Sequence, residues 1–158
     1  MIASAWRCSF LATLLVGITG CAAQQTETAS GGPLARQIAQ SSHCGLTAPG
    51  RVVLADRGDV DRLEALPARN LSLAPLRAVD FNREKVVLVA MGQKATGGYS
   101  VTLAGSRIVD QQLVLSVASR APDPGTMVTQ ALTTPCTAIA VTASGWSELR
   151  IVEAENNR

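Results

Sequence analysis

Four cysteines and one histidine are the residues in this chain that could take part in nucleophilic or metal chemistry. His43, directly before Cys44, is the one candidate for a general base near neutral pH. A structural zinc site needs four Cys or His ligands, commonly with Cys-x-x-Cys spacing, and this sequence has no such pair. The carboxylates are scattered, without an evident pair for acid–base work. We therefore predict no metal, no cofactor and no enzymatic activity.

An acidic cluster, Asp56, Asp59 and Asp61, superficially suggests a calcium loop. It lacks the glycine and the closing glutamate at the spacing that such a loop requires. Acidic residues are also favourable at the start of a helix, where they cap free N–H groups and complement the helix dipole. We therefore predict helix capping here, with Asp59 as the N-cap.

Cys21 has a different context from the other cysteines. It follows an apolar run over 10–18, with Arg7 upstream and the small residues Thr19 and Gly20 directly before it. A basic start, an apolar stretch and small residues before a cleavage point are typical of a secretory signal. The run is shorter than the ~20 apolar residues that a membrane span requires. A secretory signal that is cleaved elsewhere, after Ala22 or Ala23, is the alternative.

Small residues followed by cysteine resemble the lipobox of bacterial lipoproteins. This resemblance implies a signal peptide at 1–20, cleavage before Cys21 and fatty acyl chains, such as palmitate, on that cysteine. Two or more acyl chains hold a protein stably on a bilayer. Ala22 stands where many Gram-negative lipoproteins retained in the inner membrane have Asp. The expected location is thus the bacterial cell envelope, at the outer membrane, facing the periplasm or the cell surface.

The remaining cysteines form an even pair. Cys8 is removed with the signal peptide and Cys21 carries lipid, which leaves Cys44 and Cys136 in an oxidising compartment. We predict a disulfide between them; two buried free thiols are the alternative.

Composition limits the partners and the core. Fourteen Lys and Arg stand against twelve Asp and Glu, a balance that argues against a nucleic-acid surface. After cleavage only Phe81, Tyr99 and Trp146 remain as aromatic residues, so the core must consist of aliphatic side chains. Residues 21–42 are rich in Ala, Gln, Thr, Ser and Gly and predict a flexible tether, followed by one domain over 43–158.

Residues 43–158 predict a mainly β (α+β) fold, an antiparallel sheet or sandwich of about six strands with one short helix. The helix, over 59–66, places Val60, Leu63 and Leu66 on one face and ends at Pro67. The continuous apolar run over 86–91 predicts a central strand that is buried on both faces. A hairpin turns at Asp110-Gln111, with a bulge expected at Gly105. The other strands are predicted at 52–54, 99–109, 112–119, 135–142 and 148–152.

The connection after the central strand contains Thr96, Gly97, Gly98 and Tyr99. Adjacent glycines permit left-handed backbone or the close approach of another segment. Two interpretations of this loop remain open. It is a candidate partner-binding loop, because loops on rigid strands often carry recognition and Tyr is favoured at interfaces. Alternatively, Tyr99 caps the core, and the scarcity of aromatic residues favours this role.

These features together resemble the PrcB C-terminal domain family. The resemblance rests on Asp80-Phe81, the strand over 86–91, Thr96-Gly97-Gly98-Tyr99 and the segment over 128–135, and it covers about 51–141. Members are exported bacterial proteins, often lipoproteins, and the family takes its name from a non-catalytic subunit of a surface protease complex.

The resemblance implies a lipid-anchored, non-catalytic accessory subunit that binds another envelope or surface protein, such as a protease. One alternative is an inhibitor of cysteine proteases, because Thr96 to Tyr99 is loosely similar to a loop of chagasin-type inhibitors. Lys94-Ala95 stands where that loop begins with Asn-Pro, and the companion Arg-Pro-Trp is missing. A purely structural envelope protein is a further alternative.

Overall fold

The computed structural model describes residues 33–67 and 69–154, which form seven strands and two short helices. The proposed signal peptide and Cys21 lie outside the described residues. In chain order the elements are β1 (Ala35–Ser41), β2 (Pro49–Leu54), α1 (Arg57–Glu64), α2 (Ala74–Arg77), β3 (Glu84–Met91), β4 (Ser100–Val109), β5 (Gln112–Arg120), β6 (Cys136–Thr142) and β7 (Glu148–Glu153).

The strands form two sheets that pack face to face, with the helices on the outer face of one of them. The larger sheet has the order β1-β6-β3-β2 and is antiparallel throughout. The smaller sheet has the order β4-β5-β7, in which β4 and β5 are antiparallel and β5 and β7 are parallel. The predicted mainly β architecture is confirmed. The parallel pair was not predicted; it arises because the chain crosses from β6 in one sheet to β7 in the other.

Strand β3 is buried on both faces, as its continuous apolar run predicted. Val86 and Leu88 belong to a cluster shared with the helices, which includes Val60 and Leu76. Val87 lies on the opposite face, in a cluster that joins the two sheets. This alternation follows from the two-residue period of a strand. The inter-sheet cluster comprises Val87, Val89, Val101, Leu113, Leu115, Val117, Ile139 and Val141.

Helix α1 begins earlier than predicted. Asp56, not Asp59, is the N-cap, and its side chain accepts a hydrogen bond from the Asp59 N–H at 2.9 Å. The Asp59 carboxylate instead accepts from the Ala55 N–H at 2.7 Å, which, with Arg62 nearby, lowers the pKa of Asp59. The assignment of Asp59 as N-cap was therefore wrong. Both aspartates have a side chain that can cap a helix, but the helical conformation begins at Arg57, so the residue before it, Asp56, occupies the N-cap position. The acidic cluster caps a helix as predicted.

Strand β1 corrects the predicted tether over 21–42. Ala35–Ser41 is an edge strand that pairs antiparallel with β6, from Ala35 opposite Val141 to Ser41 opposite Cys136. Its sequence is mostly polar because much of it is exposed, and only Ile38 and Ala39 pack against the helix-side cluster. Main-chain hydrogen bonds to a distant strand, which no local pattern reveals, hold it in the sheet.

The hairpin between β4 and β5 agrees with the sequence. Asp110 and Gln111 have positive φ values of 48° and 61°, as a two-residue hairpin turn requires. The pairing register shifts between Leu103 and Gly105, where a bulge was expected. Neither helix in the described part of the chain is long and apolar enough to cross a membrane.

Candidate partner-binding site

The loop between β3 and β4 is braced by a second, distant segment of the chain. The Lys94 N–H donates to the Thr133 carbonyl at 2.8 Å, and the Thr133 N–H donates back to the Lys94 carbonyl at 3.0 Å. The Thr133 hydroxyl donates to the Thr96 carbonyl at 2.8 Å, and the Gly97 N–H donates to the Thr129 carbonyl at 2.9 Å. The loop that carries Tyr99 is thus a constrained connection, hydrogen-bonded along its length.

Each glycine in this loop has a different role. Gly98 has a φ of +87°, and a β-carbon there would lie 2.9 Å from Pro122 Cβ and 3.1 Å from Val128 Cγ1. Gly97 has no positive φ, and a β-carbon there would meet Thr129 Cβ at an ordinary 3.5 Å. Only Gly98 therefore requires glycine, for both its conformation and the closeness of Pro122.

Tyr99 is the last residue of this loop, directly before β4. It is half-buried and belongs to neither hydrophobic cluster. Lys94 Nζ lies 5.4 Å from the centroid of its ring, within the range of a cation–π interaction. The ring packs beneath a lysine, with part of its surface open to solvent. Both interpretations of Tyr99, core cap and partner contact, stay predictions.

An apolar groove opens beside Lys94, on the side where β2 and β7 end the two sheets. Its volume is about 430 Å³, and we call it the edge groove. Apolar residues from four strands, β3, β4, β5 and β7, and three charged side chains line it. The apolar residues include Val89, Met91, Val101, Val117 and Ile151, and the charged residues are Arg51, Lys94 and Glu153.

A second groove, of about 370 Å³, is lined in part by Gly98, Pro122 and Met127. Met127 is 97% exposed, and Leu132, in the segment that braces the loop, is 63% exposed. Large apolar side chains at such exposure, gathered around a constrained loop, are typical of a surface that contacts another protein.

The predicted disulfide is confirmed. Cys44 and Cys136 are bonded, both are buried, and their α-carbons lie 6.1 Å apart. The Cys44 N–H also donates to the Thr134 carbonyl at 3.0 Å, and the Thr134 N–H donates to the Ser42 carbonyl at 2.8 Å. The disulfide therefore fixes the end of the segment that braces the Tyr99 loop.

His43 lies between the Ser42 hydroxyl and the disulfide. Its Nδ1 is 2.9 Å from the Ser42 hydroxyl, and the adjacent Cys44 is in the disulfide and cannot act as a nucleophile. Within 33–67 and 69–154, no three His, Cys, Asp or Glu side chains form a group that could hold a metal ion.

The structure brings together two of the sequence motifs, Thr96 to Tyr99 and the segment over 128–135, through the hydrogen bonds described above. It also adds residues that the sequence did not indicate. Arg51, Lys94 and Glu153 come from separate parts of the chain, and only the folding of both sheets brings them to one groove. No local signal marks them.

The described residues thus form a β-sandwich in which the hydrogen-bonded Tyr99 loop is flanked by two grooves and by exposed apolar residues. Residues 85–142, from β3 through β6, match the family model described as PrcB C-terminal, which confirms the resemblance predicted from the sequence. The match includes the Tyr99 loop and its bracing segment but not β2 or β7. Comparisons with curated proteins and with solved structures gave no match.

Proposed function

We propose that this chain is a non-catalytic accessory subunit of the bacterial cell envelope, anchored by lipid at Cys21, which binds another envelope protein. The observation that carries the proposal is the half-buried Tyr99 beneath Lys94 on a loop that is hydrogen-bonded to Thr129 and Thr133. A constrained loop loses little conformational entropy on binding, and aromatic residues are enriched among those that dominate binding energy.

The family supports the class of partner. The matched segment contains the loop, and the resemblance noted in the sequence implies a family that takes its name from a non-catalytic subunit of a surface protease complex. An extracytoplasmic protease is therefore the partner that we propose, on the strength of family analogy.

The binding role is tested by Tyr99→Ala in the full-length chain. We expect in-cell cross-linking and mass spectrometry to recover the partner at least about tenfold less well, because a residue that dominates binding contributes ~2 kcal/mol or more. The melting temperature of the domain should change little, since the ring lies outside both hydrophobic clusters.

Phe81→Ala is the matched control, because Phe81 packs against the helix-side cluster. It should lower the melting temperature while the folded protein still captures its partner. The proposed binding role is wrong if Tyr99→Ala behaves like Phe81→Ala, with lower stability and unchanged capture.

The anchor is tested by Cys21→Ala. The wild-type mature N-terminus should be Cys21 with attached acyl chains, detected by mass spectrometry, and the variant should accumulate as a precursor or leave the membrane fraction. A single acyl chain binds membranes only marginally, so the loss of all of them should release the domain. A wild-type mature form that begins at any other residue contradicts the lipid anchor.

A further inference from the structure

Strand β2 ends the larger sheet and is more exposed than the strand beside it. Within the part of the chain that the structure describes, β2 pairs only with β3, so one side of its backbone has no strand partner. Val52 and Val53, adjacent on this strand, are 37% and 40% exposed. An edge strand with exposed apolar residues and free backbone groups is a template for pairing with another chain.

The smaller sheet does not extend over β2. Val53 lies opposite Val87, and Arg51 lies opposite Val89, so Arg51 and Val53 project from the face that the two sheets share. Val87 is fully buried there, whereas Val53 is 40% exposed. The smaller sheet therefore covers β3 but not β2, and β2 lies beside the edge groove with this face partly exposed.

The charged side chains that line the edge groove favour an acidic ligand. Arg51 and Lys94 line the edge groove together with Glu153. Glu153 already accepts hydrogen bonds from the Ser119 N–H at 2.6 Å and the Ser119 hydroxyl at 3.1 Å. Arg51 and Lys94 form none of the ion pairs found among the described residues. The groove thus combines an apolar floor with an excess of one positive charge.

We propose that β2 is the docking edge for an extended segment of the protein partner, which adds a strand beside Pro49–Leu54. This inference rests on the proposed function, since it presumes a protein partner. Side chains alternate along a strand, so every second residue of the added segment faces the groove. Those positions suit apolar residues over the groove floor and carboxylates toward Arg51 and Lys94. Backbone pairing provides affinity, and the groove provides specificity.

The test uses the full chain and a blocked synthetic peptide of sequence TVTETVTE, whose valines and glutamates share one face. We expect the peptide to bind, and hydrogen-exchange mass spectrometry to show slower exchange of the backbone amides over 50–54. The lysine counterpart TVTKTVTK, and TVTETVTE N-methylated at its four central amides, should bind at least about tenfold more weakly, because they lose charge complementarity and backbone pairing respectively.

Arg51→Glu and Lys94→Glu should each weaken binding of TVTETVTE by about tenfold, and added salt should weaken binding to the wild type. Arg107→Glu is the matched control: Arg107 is an exposed arginine on β4, at the opposite edge of the smaller sheet. It should bind the peptide as the wild type does. If Arg107→Glu weakens binding of TVTETVTE as much as Arg51→Glu does, the assignment of the docking edge to β2 is overturned.

The proposal is also overturned if TVTETVTE does not bind, if TVTKTVTK or the N-methylated peptide binds equally well, or if protection falls on β4 or β7. Protection of β2 that grows with protein concentration in the absence of peptide would assign this edge to a second copy of the chain. The two proposals fail separately. Loss of capture in Tyr99→Ala without peptide protection at β2 rejects only the docking edge, whereas unchanged capture in that variant rejects the binding role of the loop.

Discussion

Removal of the Cys44–Cys136 disulfide is expected to destabilise the domain by about 4 kcal/mol, because the bond closes a loop with a sequence separation of 92 residues. A loop of that length carries a large conformational entropy in the unfolded chain, and the cross-link removes much of it. A domain of this size is usually stable by only about 5–15 kcal/mol. The Cys44→Ala/Cys136→Ala double variant should therefore melt at least roughly 10 °C below the oxidised wild type.

The same bond is expected to influence the Tyr99 loop. Thr134, whose backbone pairs with Ser42 and Cys44, is adjacent to Thr133, which braces the loop at Lys94 and Thr96. We expect faster amide exchange over 94–98 in the double variant, in addition to the lower melting temperature.

Reduction separates the covalent bond from the side-chain replacements. The wild type in excess reductant should approach the melting temperature of the double variant, and the double variant should not respond to reductant. A double variant that melts within a few degrees of the oxidised wild type would mean that the buried contacts of these segments, and not the cross-link, maintain the fold.

Local signals were sufficient to predict the central elements. Five consecutive apolar residues, Val86 to Ala90, cannot all be buried in a strand that has one face in water, so the run indicated a strand covered on both sides. The hairpin followed from Asp110-Gln111 between two apolar runs. The cysteine pair followed from assigning the other two cysteines to the leader and the lipid.

Other features depend on contacts that no local pattern encodes. Strand β1 has a polar sequence because it is an exposed edge. It joins the sheet through hydrogen bonds to β6, which lies about 100 positions later in the chain. Helix α2 comprises only Ala74–Arg77, too short for a helical periodicity to be recognised. The edge groove combines side chains from five strands, so its shape and charge exist only after both sheets form.

Tyr99 illustrates why composition alone does not determine where a side chain lies. The scarcity of aromatic residues suggested a core role, but a phenol ring is amphipathic and is stable at a partly wet surface. Its neighbour Lys94 precedes it by five residues, a spacing without meaning in either a helix or a strand. The loop geometry that places Lys94 Nζ over the ring depends on hydrogen bonds to Thr129 and Thr133.

Gly98→Ala is expected to destabilise the fold by about 2–4 kcal/mol and to displace the Tyr99 loop. Part of this cost, ~1–2 kcal/mol, is the left-handed backbone conformation, which a β-carbon disfavours. The remainder is overpacking: the new methyl group would lie 2.9 Å from Pro122 Cβ and 3.1 Å from Val128 Cγ1, and the proline ring has little freedom to move. Thermal unfolding should show a melting temperature lower by roughly 6 °C or more.

Gly97→Ala is the matched control, one residue away in the same loop. Its β-carbon would meet Thr129 at an ordinary 3.5 Å, its φ is not positive, and its N–H can still donate to the Thr129 carbonyl. Its free energy of unfolding should stay within ~0.5 kcal/mol of the wild type, and partner capture should persist.

Gly98→Ala moves the residue directly before Tyr99. Partner capture by this variant should therefore fall even when it is measured per folded molecule. Equal melting temperatures for Gly97→Ala and Gly98→Ala would mean that the positive φ at Gly98 does not constrain this loop. The loop would then lack the rigidity on which the proposed binding role of Tyr99 depends.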